Sequence, residues 1–150
     1  MPFKHIVVPV DFSKPSLHAL RTAIGLARHG KARITLIHVI LPHVSALAAD
    51  VPGWAAFDPE LILRYQQELE TEARHGLERA AKEEVPDDVP YEIVVVTGPI
   101  ADSVNEEAAA RQADLVCIGT TGRTGLPHLL LGSVAERVVA RAPVPVLVVH

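Results

Sequence analysis

Three glycines and a serine toward the end of the chain carry its most legible chemistry: Gly119, Gly122 and the pair Gly132-Ser133. Glycine has no Cβ, so backbone N–H groups in such a run can close on an anion, and a helix opening at Ser133 adds the partial positive charge of its N-terminus. A phosphate chain is the natural guest. Ser133 can donate its hydroxyl to a phosphate oxygen or act as an ordinary helix cap. Arg123 offers a cation for a terminal phosphate, or stands as a solvated surface arginine. A second group lies near the other end, in Pro9-Val10-Asp11-Phe12-Ser13. Asp11 is anionic at neutral pH and would repel a triphosphate; a ribose hydroxyl or an adenine edge suits it better, as does capping a helix that begins around Ser13 to Pro15.

Other chemistries find less support. The chain has eight histidines, but no spacing among them, His38 with His43 included, matches a closed zinc site. Mg²⁺ arriving with nucleotide phosphates needs few protein ligands and is the more natural metal. The single cysteine, Cys117, has no disulfide partner and sits among Leu115, Val116 and Ile118, where it packs as a small hydrophobe. With 14 Lys and Arg against 18 Asp and Glu, the formal charge of -4 provides no basic field for nucleic acid. MPFKHIVVPVD meets an acid too early for a signal peptide or membrane span, so the cytoplasm is the expected compartment.

The elements that must position these residues follow from hydrophobic patterning. Five β-branched runs, His5 to Val10, Arg33 to Ile40, Tyr91 to Thr97, Asp114 to Gly119 and Val144 to Val149, alternate with helical patterns. That alternation predicts an α/β fold, a five-stranded parallel sheet with helices on both faces. Pro15 suits a first helical turn; Leu17, Leu20, Ile24 and Ala27 keep helical spacing until Gly30 stops the helix. Leu41 to Asp58 has no sustained period and is expected to be a long surface excursion. From Pro59 a second helix places Leu61, Ile62, Tyr65, Leu69, Ala73, Leu77 and Ala80 on one face, at a cost of about 1 kcal/mol for Gly76 relative to alanine. Ile100, Val104 and Ala108 stripe the third helix, and Val134, Ala135, Val138 and Val139 the last. At 150 residues with no linker or repeat, a single domain over 1–150 is expected. In such a sheet ligands bind outside the carboxyl ends of the strands where the order reverses. If the first and fourth strands are neighbours, the Pro9 to Ser13 segment and the Gly119 to Ser133 loop leave the same sheet edge side by side.

At these residues the chain resembles the universal stress protein family, in its nucleotide-binding branch. The branch pattern of Gly, two residues, Gly, nine residues, Gly, then Ser or Thr is met by Gly119, Gly122 and Gly132-Ser133 without a gap. IVVPVD is similar to the family's first strand and APVPVLVV to its last. The resemblance implies a Rossmann-like nucleotide-binding fold, typically homodimeric, that holds ATP in the crevice and acts in stress adaptation. It implies that Pro9 and Asp11 approach the adenosine end and Val39 lines the adenine. Ile118, Gly119, Gly122, Gly132, Ser133 and Val134 would surround ribose and phosphates. Thr121 departs from the histidine that many relatives carry there.

Two functions follow as expectations. The first is an ATP-binding regulatory or interaction module of the stress response. The alternative is a slow ATP hydrolase or autophosphorylating protein with Thr120, Thr121, Thr124 or Ser133 as acceptor. The alternative lacks an engine: Gly30-Lys31-Ala32 is no Walker A loop, and no motif fixes a base near the glycines. A response-regulator receiver is excluded because Thr97-Gly98 ends the third strand where an acceptor aspartate would stand. An adenylating pyrophosphatase is excluded by Pro9 to Ser13 in place of Ser-Gly-Gly. A third reading keeps the motif in a purely structural dimer. The valines at 144, 146, 148 and 149 predict an edge strand that invites a second copy, with Pro143 and Pro145 limiting pairing to its distal half.

Overall fold

A computed structural model describes residues 2–42, 52–53, 58–121 and 131–150. Its elements are β1 (His5–Pro9), α1 (Lys14–Gly30), β2 (Arg33–Ile40), α2 (Pro59–Glu84), β3 (Tyr91–Thr97), α3 (Ile100–Ala110), β4 (Leu115–Gly119), α4 (Ser133–Arg141) and β5 (Val146–Val149). The five strands form one sheet in the order β3-β2-β1-β4-β5, every pairing parallel. The chain moves outward from β1 to β3, then crosses back to β4 on the other side of β1, so the order reverses between β1 and β4. One core layer packs α1 and α2 on Ile6, Val8, Ile34 and Leu36; the other packs α3 and α4 on Val7, Ile37, Val116 and Ile118. Both faces are thus covered, as the uninterrupted apolar strands require.

Several boundaries differ from expectation for identifiable reasons. Val10 still donates to Ile37 O at 2.8 Å, but β1 ends at Pro9 because Phe12 turns into a left-handed conformation at φ 65. β5 begins at Val146, since Pro143 and Pro145 have no N–H for a ladder. Gly30 lies within α1, and the left-handed cap is Lys31 at φ 53, whose N–H reaches Ala27 O. Glycine is needed at position 30 for closeness: a Cβ there would stand 2.8 Å from Phe3 O. In α2 the expected apolar stripe is buried only from Ala73 onward, while Leu61 and Tyr65 are 61% and 49% exposed. A 26-residue helix is roughly 39 Å long, longer than the 5- to 8-residue strands beneath it, so its first turns overhang the sheet.

At the amino ends of the strands, opposite the glycine loop, His5 sits 4% exposed in a polar network. Thr35 has one hydroxyl hydrogen and donates it to Glu92 Oε1 at 2.8 Å, so His5 Nε2 must donate to Thr35 Oγ1 at 2.7 Å. Nδ1 lies 3.1 Å from both Arg33 Nη2, from which a neutral ring accepts, and Arg111 O, to which only a protonated Nδ1 could donate. Burial first, and the Arg33 cation second, hold His5 below its ordinary 6.5. The unfolded chain therefore binds a proton that the folded one refuses in the window just below pH 6.5, and stability is lost there on acidification. Glu92, lowered chiefly by the Thr35 hydrogen bond, acts in a separate window below 4.5. Urea midpoints measured from pH 7.5 to 5.5 should fall for the unaltered protein and lie flatter for His5→Gln; equal slopes would remove His5 as the cause.

Candidate functional site

The reversal of strand order opens a crevice of about 1410 Å³ at the carboxyl ends of the strands. One wall is the segment that leaves β1. Asp11 Oδ1 accepts from Ser13 N at 3.0 Å and from Ser13 Oγ, and Ser13 Oγ in turn accepts from Ser16 N at 3.3 Å as the cap of α1. Asp11 is thus not the cap itself but the group that orients it. Pro9, Val10 and Asp11 all line the crevice.

The opposite wall is the end of β4. Ile118, Gly119 and Thr120 are buried and line the space with Thr121. Gly119 is a close-approach glycine: a Cβ would meet the Pro15 carbonyl carbon and oxygen at 2.8 Å, so β4 and the start of α1 touch backbone to backbone. Thr120 N donates to Val149 O at 2.9 Å, and Thr120 O accepts from Gly132 N at 2.7 Å, which brings the two ends of the glycine loop together. Gly122 and Arg123, with Thr124, lie outside the described residues.

Gly132, at φ -62 and ψ 153, is the N-cap of α4 and has no side-chain cap bond; Ser133 is the first helical residue and is exposed, not the cap. The first intrahelical bond runs from Glu136 N to Gly132 O at 2.9 Å, which leaves the N–H groups of Ser133, Val134 and Ala135 without intrahelical acceptors. All three residues line the crevice. The helix end therefore presents donors and a positive dipole end to whatever anion occupies it.

β2 forms the floor. Val39 is half-buried and lines the crevice with Ile37 and Ile40, on the side of Ile100 from α3. The structure thus brings together Pro9, Val10, Asp11, Val39, Ile118, Gly119, Thr120, Gly132, Ser133 and Val134 around one space. Sequence reasoning missed Phe12 and His38, which also line it. Their rings stack with centroids 4.9 Å apart at 30°, and His38 Nδ1 donates to Val10 O at 2.7 Å. A left-handed backbone costs a bulky residue on the order of 1–3 kcal/mol, and such strain concentrates at functional sites. The mid-helix Gly76 was the one available signal. A Cβ at Gly76 would stand 2.7 Å from Phe12 Cζ, so this glycine is the seat of the Phe12 ring.

Cys117 packs as expected: it is fully buried, donates weakly to Ala19 O at 3.3 Å, and burial pushes its thiol up to about 12. No group of three or more His, Cys, Asp or Glu side chains converges for a metal among the described residues. Among the same residues, no helix is long and apolar enough to cross a membrane.

Known proteins share this fold. The universal stress protein MJ0531 of Methanocaldococcus jannaschii is 38% identical over 147 residues, covering 98% of this chain and 82% of the relative. The solved structure of MJ0577, from the same organism, superposes with a TM-score of 0.82 at 27% identity, covering 99% of this chain and 96% of that one. A universal stress protein solved in complex with cAMP superposes with a TM-score of 0.63 at 26% identity, covering 100% of this chain and 98% of the other. The model of the universal stress protein family matches residues 2–150. Family model and relatives agree: the chain belongs to the universal stress protein family.

Proposed function

We propose that this protein binds ATP in the crevice between β1 and β4 and acts as a regulatory or interaction module of the stress response. The observation that carries the reading is the placement of three N–H groups without intrahelical acceptors, those of Ser133, Val134 and Ala135, on the same space as Asp11. A nucleotide has the same polarity, with an anionic tail at one end and hydroxyls and a polar base edge at the other. Val39 and Ile118 supply the apolar surface that a base needs between them. The relative solved with cAMP supports an adenine nucleotide as the class of ligand. Mg²⁺ would enter with the phosphates and keep most of its waters.

The test is to denature freshly purified protein, identify any released small molecule by mass spectrometry, and titrate ATP into the emptied protein. Micromolar affinity, about -8 kcal/mol, is the expected result. Gly122→Val should abolish it; unchanged affinity would remove the glycine loop from the site. Phosphate release in the same titration distinguishes a binder from the slow hydrolase, for which Thr120, Thr121 and Ser133 supply hydroxyls at the crevice.

The reading includes a homodimer through β5. Among the described residues this strand is the last in the sheet, so one side of Val146–Val149 has no neighbouring strand there. Pairing two copies along that edge would be isologous, the arrangement that closes a dimer. Light scattering at micromolar concentration should give twice 16.2 kDa; a mass of 16.2 kDa would count against the dimer.

A further inference from the structure

The Phe12–His38 pair meets α2, the helix whose Leu69, Glu72, Ala73 and Lys82 line the crevice beyond the residues used in the nucleotide reading. Strand alternation places His38 on the opposite face of the sheet from Ile37 and Val39, toward α1 and α2. A carbonyl oxygen can only accept, so the Nδ1 that meets Val10 O at 2.7 Å carries the ring proton. His38 therefore holds Val10 by its carbonyl while Ile37 O holds the Val10 N–H at 2.8 Å. With Val10 clamped on both sides, the next two residues both line the crevice but take different partners: Asp11 orients Ser13, and Phe12, at φ 65, sends its ring onto His38 and into the space left by Gly76 of α2.

We propose that Phe12, stacked on His38 and seated against Gly76, couples occupancy of the crevice to the order of α2. The inference rests on the nucleotide reading and adds a regulatory output to it. A ligand that fixes Val10 and Asp11 also fixes Phe12 in its left-handed backbone conformation, and the ring then packs α2 at Gly76, one turn from Ala73, where burial of that helix begins. In the empty crevice the turn is held only by the protein's own contacts. A shift of Phe12 toward an ordinary backbone conformation withdraws the ring from the seat. Nothing but differential contact is required: ligand and α2 bind opposite ends of one strained turn.

Hydrogen exchange of α2, followed by mass spectrometry with and without saturating ATP, tests the coupling in the unaltered protein, Phe12→Ala and Gly76→Ala. In the unaltered protein ATP should slow exchange over residues 69–81 by about fivefold or more, the lower end of typical coupling between sites. At saturation the difference should vanish in both variants, while protection at the start of α4 persists. Should Phe12→Ala fail to fold, as judged by its thermal transition, Gly76→Ala denies the ring its seat from the helix side and carries the same comparison. If ATP binds the unaltered protein without slowing exchange in α2, the coupling is overturned and the nucleotide reading stands. The coupling is equally overturned if the slowing persists in a folded variant. Absence of ATP binding to the unaltered protein overturns both.

Discussion

Gly119→Ala should destabilise the protein by about 1–3 kcal/mol, the usual cost of forcing one extra carbon into a packed interior, and weaken ATP binding by tenfold or more. The added Cβ would lie 2.8 Å from the carbonyl carbon and oxygen of Pro15 and 3.1 Å from Pro15 Cβ. Two of these atoms are backbone, so no side-chain rotation relieves the contact. Either β4 or the first turn of α1 must move, and each carries a wall of the crevice. The internal control is Gly25→Ala. Gly25 is an exposed position within α1 with nothing within 4 Å of a new Cβ, so the substitution should stabilise by up to about 1 kcal/mol through helix propensity alone. Urea denaturation and calorimetric titration of the two variants side by side decide the matter. Equal effects at the two glycines would mean that the approach of β4 to Pro15 is not what shapes the site.

Asp11→Ala should cost about 1–2 kcal/mol of stability, the range for losing a helix-capping interaction, and reduce ATP affinity at least tenfold. The side chain serves both ends of the argument. Oδ1 orients Ser13, whose own hydroxyl caps α1, while the residue lines the crevice on the side facing the start of α4. Asp11→Asn separates these roles, because an amide oxygen still accepts from Ser13 while the negative charge is gone. Its stability should stay near that of the unaltered protein and its affinity fall less than that of Asp11→Ala. An Asp11→Ala protein that binds ATP at full strength would leave Asp11 as a purely structural residue of the turn.

Much of the fold was legible because it rests on local rules. β2 and β3 coincide with the β-branched runs Arg33 to Ile40 and Tyr91 to Thr97, whose Val, Ile and Thr residues favour strands. The ends of β1 and β5 were misjudged by one and two residues where Phe12 and the two prolines intervene. α2 begins at Pro59 as expected, but its apolar stripe is covered only in part. Its periodicity is continuous from Leu61 to Ala80, but periodicity says only which residues share a face, not whether another element covers it. Leu61 and Tyr65 lie on the turns that overhang the sheet.

Residue types and spacing alone determined the α/β class and the parallel sheet, and marked Gly119 to Ser133 as a candidate anion loop. Each follows from a property of the chain itself: side-chain period or a missing Cβ. Tertiary structure alone decided that β4 lies beside β1, which puts the Pro9 to Asp11 segment and the ends of that loop on one crevice. It also decided why Gly30, Gly76 and Gly119 are glycines, since each is met by atoms from a distant part of the chain: Phe3, Phe12 and Pro15. Local propensity treats Gly76 as a helix defect worth about 1 kcal/mol. Only the arrival of Phe12 from 64 positions earlier turns that defect into a seat, because close approach is a relation between two segments and neither segment's sequence contains it.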